Sequence, residues 1–234
     1  MGDYTDNAYL IHSRPYTDSR ILVELFSEKS GMIPGVYRLP KLRKNMSVPW
    51  QFSPLYVRWT GRNPLKTIIS LEQWQHSTPL QGVSLYCGFY INELLLKLLP
   101  KEEPHLKLFS SYMITIKKLA LNHPSVNEIH LRHFEFTLLD ELGYGIDFDA
   151  DCNSNLIEND EKSLYIFDPE KGFVQVFSAN ENEESGAFSG STILAIAAER
   201  FDLPQVRLSA KKLCRKMINH LLGDSTLKSR ELFQ

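Results

Sequence analysis

The feature that most restricts how this 234-residue chain can fold is a change of hydrophobic period at Pro79. Before it, apolar residues come in short runs separated by turn signals; after it they recur about every 3.6 residues. Five runs before the change predict strands at Ala8–His12, Ile21–Phe26, Met32–Tyr37, Leu55–Trp59 and Lys66–Leu71. Pro15 is expected to interrupt the chain after the first, and Pro34 to break the third, because proline donates nothing to a ladder. Ser30-Gly31 and Thr60–Pro64 read as turns. Five short strands in so short a stretch suit a small closed barrel, since closure removes the edges that such a sheet would expose. The count allows an OB-type barrel or an SH3-like one.

Beyond Pro79, Gly82–Leu99 predicts a helix ended by Pro100, with Leu85, Phe89, Leu95, Leu96 and Leu99 on one broad apolar face. Lys107–Leu121 predicts a second, stopped by Asn122-His123-Pro124. Ser125 has capping-box spacing to Glu128 for a third, which carries Leu131, Phe134, Leu138 and Leu142 inward and stops at Gly143. Ser191–Phe201 and Leu208–Leu222 predict two closing helices. Residues 147–190 hold the strand-like Leu164–Phe167 and Phe173–Phe177, linked by an expected hairpin turn at Asp168–Gly172. The expected class is therefore α+β. A five-stranded OB-type β-barrel fills 1–79, and a helical domain fills 80–234 with an acidic β-hairpin segment inserted at 147–190.

At 43% hydrophobic and 23% charged residues the composition is that of a globular protein. No apolar run approaches the length of about 18 residues that a membrane helix needs. Acids rather than a basic, apolar leader follow Met1, so no secretory signal is expected. Cys87, Cys152 and Cys214 are odd in number and far apart, which fits a reducing compartment and a cytoplasmic protein. The chain has no phosphate loop, no H-E-x-x-H, no C-x-x-C and no nucleophile elbow. Gly143 and Gly145 follow a helix rather than a strand, so they are no dinucleotide fingerprint. Cys152 has no Cys or His at ligand spacing, and His12 no orienting carboxylate. The expectation is a protein without catalytic residues, metal or cofactor.

Charge carries more information. The net value is −2, yet Lys29 to Leu71 holds eight basic residues and no acid, and 147–185 holds eleven acids. Local field, not net charge, attracts a polyanion. Aromatic residues Tyr37, Trp50, Phe52, Tyr56 and Trp59 are woven through the basic window, and single-stranded nucleic acid is held by cationic grooves and aromatic faces. Expected phosphate contacts are Arg38, Lys41, Arg43, Lys44, Arg62 and Lys66, with Tyr37 and Trp50 as stacking candidates. Alternation favours core packing for Tyr56 and Trp59. Lys211, Lys212, Arg215 and Lys216 in the last helix suit a second strand or, equally, a solvated face. A competing reading is an interaction scaffold whose barrel docks acidic protein partners.

Several segments are familiar. Tyr9–Tyr16, Phe52–Leu55, Gly61-Arg62 with Leu65–Thr67, Leu85–Leu95, Leu131–Glu135, Leu142–Gly145 and Leu227–Phe233 resemble, in order, the bacterial RecO recombination mediators. The resemblance implies an OB-fold joined to a helical domain and a non-enzymatic, nucleoid-associated role in DNA repair. It implies binding of single- and double-stranded DNA, annealing of complementary strands, and loading of RecA with RecR onto strands coated by single-strand-binding protein (SSB). It also implies a contact with the acidic, Phe-ended tail of SSB. For that tail Arg132 is expected as the cation, beside apolar neighbours such as Leu131, Phe134 and the Tyr86–Tyr90 helix; the alternative pairs Arg132 with Glu128 one turn away. Two departures stand out. The connector Arg38–Lys44 is cationic where the family is usually rich in glycine and small residues. Only Cys152 remains where some members carry four zinc-ligating cysteines, so zinc is not carried over.

Overall fold

Strand β1 (Asp3–Thr17) is long because it serves two partners in succession. Its first half pairs with β4 (Pro54–Thr60) and its second with β2 (Arg20–Ser27), overlapping at Ala8 and Tyr9. With β3 (Gly31–Arg38) and β5 (Lys66–Gln73) the strands close in the order β1-β2-β3-β5-β4. Only β3 and β5 run parallel. The computed structural model describes residues 2–39, 51–75, 78–121, 123–176 and 186–233. Its first part is the expected five-stranded barrel of OB type.

The prolines behave differently from expectation. Neither Pro15 nor Pro34 ends its strand: Pro15 pairs with Ile21, and Pro34 with Glu24. Each lies where its strand has one neighbour only, since β1 leaves β4 after Tyr9 and β3 meets β5 at Gly35–Tyr37 alone. A residue with one open side needs no second ladder bond, so the missing N–H costs little there. Inside the barrel pack Leu10, Val23, Leu25, Ile33, Leu55, Val57, Trp59 and Ile68, all nearly inaccessible. Gly35 allows the parallel closure: a Cβ there would stand 2.5 Å from Ile68 Cδ1.

Helices α1 (Gly82–Leu98) and α2 (Leu106–Leu119) belong to the same compact unit as the barrel, which comprises residues 1–127 and 227–234. A buried polar chain joins the three layers. Asn92 of α1 donates to the Ile11 carbonyl (2.9 Å) and accepts from the Tyr112 hydroxyl of α2 (2.8 Å). Around it, Tyr9 and Phe26 of the barrel meet Phe109 and Tyr112 at centroid distances of 5.0–5.9 Å. Burial pushes the Tyr9 phenol up to about 12. The loop after α1 clamps the barrel: Lys101 pairs with Glu24 at 2.7 Å, and the Glu102 amide donates to the Met32 carbonyl.

Helix α3 (Pro124–Glu141) starts at Pro124 itself. The residue read as the stop of the preceding helix is the first residue of the next, where a missing N–H is harmless. The His123 carbonyl accepts from the amides of Val126 and Asn127. The Ser125–Glu128 capping box is thus out of register, and Glu128 instead accepts from Lys211 at 2.7 Å.

The second unit, 128–226, contains most of α3, the hairpin β6 (Leu164–Asp168) and β7 (Gly172–Val176), the short β8 (Phe188–Ser189), α4 (Gly190–Ala197) and α5 (Pro204–Leu222). The hairpin falls where expected. Asp168 accepts from the Glu170 and Lys171 amides to shape its turn, and Gly172 takes φ +86°. Tyr165, Phe167 and Phe173 point inward.

The chain end, a 3-10 turn at Lys228–Phe233, is held by Glu93 of α1. Its carboxylate accepts from the amides of Lys228 (3.0 Å) and Ser229 (2.8 Å) and from the Ser229 hydroxyl (2.6 Å). Burial by itself would push the Glu93 carboxyl up, but the Ser229 hydroxyl and amide, the Lys228 amide and Lys97 together hold it below its ordinary value. A carboxyl lowered by folding stabilises above its unfolded pKa, and the gain is lost as pH falls through the folded one. Hydrogen exchange at the Lys228 and Ser229 amides should therefore quicken as pH drops below about 4.5, after correction for intrinsic rates. Glu93→Gln should abolish that dependence; an unchanged profile in the variant would assign the hold to other contacts.

Candidate nucleic-acid interface

The register of the β1–β2–β3 meander gathers cations that lie far apart in sequence. Arg20 on β2 stands directly opposite Arg38 on β3. Arg14 on β1 pairs with Leu22, so it faces outward one step along from Arg20. All three are exposed, and Tyr16 beside them is 55% exposed. No described carboxylate, Asp18 of the hairpin turn included, forms an ion pair with any of the three. Like charges on directly opposed residues destabilise a strand pair, a cost that a bound anion would offset.

The expected contacts divide. Arg38 belongs to this cluster. Lys41, Arg43, Lys44 and Trp50 lie outside the described residues. Arg62 is exposed in the β4–β5 loop, where it shares a cavity with Ser30 and Ile33. That puts it toward the far end of β3 from Arg38, five residues or roughly 16 Å along the strand at the usual rise.

Lys66 is only 6% exposed, and its ammonium donates to Glu102 (2.8 Å) and to the Asn63 carbonyl (2.9 Å). It ties the β4–β5 loop to the loop after α1. Tyr37 is 8% exposed among the core side chains, and burial pushes its phenol up. A ring enclosed in that way offers no face to a base. The exposed aromatic residues described in the barrel unit are others: Tyr4, Tyr16, Tyr56, Trp74 and Phe233.

Sequence reasoning missed Arg14 and Arg20. They precede the acid-free window and are diluted along the chain by Asp18, Glu24 and Glu28. The available signal was the hairpin register, which sets Arg14 and Arg38, 24 residues apart in sequence, on the two strands that flank β2.

In the second unit, Arg132, Leu131 and Phe134 are 3%, 6% and 0% exposed. The Arg132 guanidinium donates to Glu135 at 2.7 Å, one turn along α3. The Lys211 hydrogen bond first, and the Arg132 charge after it, help to hold the Glu128 carboxyl below its ordinary value. Beside this pair lies Cys214, whose thiol is pushed up by burial first and by the Glu135 charge second. On α5, Lys211 and Arg207 meet Glu128 at 2.7 and 3.4 Å. Lys212, Arg215 and Lys216 remain exposed. In the loop around Cys152, Asp151 accepts from the amides of Asn153 and Asn155 and from the Asn155 side chain. Among the described residues no three His, Cys, Asp or Glu side chains converge as metal ligands would. None of the described helices is long and apolar enough to cross a membrane.

Residues 1–76 match the family described as Recombination protein O N terminal, and residues 80–231 match Recombination protein O C terminal. The chain is similar over its full length to the DNA repair protein RecO of Haemophilus influenzae, with 38% identity covering 100% of this chain and 97% of that protein. It is similar also to DNA repair protein RecO of Photobacterium profundum, 36% identical over 96% of this chain and 93% of the relative. The protein of the same name from Coxiella burnetii is 36% identical, over 96% and 95%.

Proposed function

We infer the function of this chain from its family: the chain belongs to the RecO recombination proteins, whose named members are DNA repair proteins. The reading is of a mediator that makes and breaks no covalent bond. It binds single- and double-stranded DNA on its barrel, anneals complementary strands and, with RecR, helps RecA assemble on strands coated by SSB in the cytoplasm. The observation that carries it is the exposed arginine cluster of Arg14, Arg20 and Arg38, which has no ion pair among the described residues; Lys41, Arg43 and Lys44 follow Arg38 in the sequence. Annealing follows from the same charge, because a cationic surface lowers the repulsion between two phosphate backbones. The exposed Lys212, Arg215 and Lys216 on α5 would serve a second strand.

For the SSB tail the reading keeps Arg132, Leu131 and Phe134. Their burial sets a condition on it: the tail's carboxylates would have to take the guanidinium from Glu135.

The central test is fluorescence anisotropy of a labelled single-stranded oligonucleotide across a salt series. Each phosphate contact adds about 0.7 to the slope of log affinity against log salt for single strands. Arg20→Ala with Arg38→Ala should flatten the slope by about 1.4 on that basis and weaken binding at low salt by at least roughly tenfold. An unchanged slope in the folded double variant would remove the barrel face from the account.

A further inference from the structure

A cavity of about 250 Å³ opens at the end of the barrel away from the arginine cluster, lined among others by Tyr4, Ser30, Trp59, Arg62, Lys66 and Glu102. We propose that it is a subsite for one unstacked nucleobase of a bound strand, with Tyr4 as the stacking platform and Arg62 as the cation for the adjoining phosphate. The proposal rests on the DNA-binding reading and adds to it a defined base position.

Three observations support it. The Tyr4 ring lies stacked on Trp59, with centroids 5.8 Å apart and planes 17° from parallel. Trp59 is a core residue at 4% exposure, so the barrel itself orients the Tyr4 ring, yet Tyr4 as a residue is 48% exposed. A flat, pre-oriented aromatic surface is what a base stacks on, and it loses little conformational freedom in doing so.

Next, the charges in the cavity are arranged for an anion. Its one carboxylate, Glu102, is neutralised by the buried Lys66 ammonium at 2.8 Å, whereas Arg62 is exposed and forms no ion pair with a described residue. Last, part of the rim is open: Gly61, which lines the cavity, stands at φ +107°, and no described atom lies within 4 Å of where a Cβ would be. The volume falls below the roughly 300–1,000 Å³ of drug-sized ligand sites, which suits a single ring system and excludes a duplex.

The test places 2-aminopurine, a base whose fluorescence is quenched by stacking, singly at each position of a thymidine oligonucleotide. With the wild-type chain one position should be quenched on binding. Tyr4→Leu should remove that quench and weaken binding by about tenfold, within the range for losing one stacked base, while Tyr4→Trp should restore both. Arg62→Ala, a change at an exposed side chain, should flatten the salt slope by about 0.7; it carries the test if Tyr4→Leu does not fold.

A wild-type chain that binds the oligonucleotides with no quenched position overturns the subsite and leaves the DNA-binding reading standing. The subsite is equally overturned by a folded Tyr4→Leu with unaltered quench and affinity, or by an unaltered slope in Arg62→Ala. Failure of the wild-type chain to bind in dilute buffer overturns both.

Discussion

Arg132→Ala should destabilise the 128–226 unit by about 3–5 kcal/mol, the usual cost of removing one partner from a buried ion pair. The guanidinium and the Glu135 carboxylate are 4% and 0% exposed and 2.7 Å apart. Without the arginine, the glutamate would have to stay charged in a poorly solvated interior or take up a proton, and both oppose folding. Arg132→Met combined with Glu135→Leu should recover much of the loss, because two apolar groups leave no orphaned charge. Far-UV circular dichroism in urea is the measurement, since all three tryptophans, Trp50, Trp59 and Trp74, belong to the other unit and do not report on this one. A single variant within about 1 kcal/mol of wild type would mean that water reaches the pair. The result also bears on the SSB tail. If binding of a tail peptide is lost in Arg132→Ala but retained in the stable double variant, Arg132 acts by holding the fold and not by touching the peptide.

Asn92→Leu is the second large effect, expected at about 1–3 kcal/mol from the Tyr112 hydroxyl, which would lose its Asn92 acceptor. The side chain is 3% exposed and serves two groups at once, the Ile11 carbonyl and the Tyr112 hydroxyl. An apolar replacement takes the acceptor from the Tyr112 hydroxyl, at about 1–3 kcal/mol, whereas the Ile11 carbonyl still accepts from the Gln51 side chain at 3.0 Å. Burial first, and the neighbouring Tyr9 second, push the Tyr112 phenol well up, so it remains a neutral donor over the working pH range. Tryptophan fluorescence follows this transition. Adding Tyr112→Phe to Asn92→Leu should return much of the loss, as the double change removes the hydroxyl and the Ile11 carbonyl keeps its bond from Gln51. Purely additive losses would show that the three groups are not coupled through Asn92.

How far the fold was legible is clearest at the prolines and caps. Local signals placed all five barrel strands, because alternation is a property of neighbouring residues. They misjudged Pro15 and Pro34, since the cost of a proline in a strand depends on whether its open side faces a partner, and that is decided by residues elsewhere in the chain. The same holds for Pro124, which local rules mark as a stop for one helix and as a start for the next. For the candidate interface the basic window pointed to the correct strand, β3, and named Arg38. It also named Tyr37 and Lys66, which the barrel turns inward.

Charge and aromatic content are countable along a sequence, but the direction in which a side chain points depends on which face of a closed sheet it occupies. Arg14, Arg20 and Tyr4 escaped notice for the complementary reason. Their neighbours on the surface come from other strands, and pairing register alone brings them there.

The amino-acid order by itself determined the switch from strands to helices, the barrel, the hairpin and the family, because periodicity, turn chemistry and motif order are written in adjacent residues. Only the tertiary structure decided which cations are available to a polyanion. Arg38 remains exposed with Arg14 and Arg20, while Lys66 and Arg132 are taken up by Glu102 and Glu135. The physical reason is that a cation attracts an incoming polyanion only if it is accessible and not already neutralised by a neighbour, and both depend on distances through space between residues that the chain holds apart.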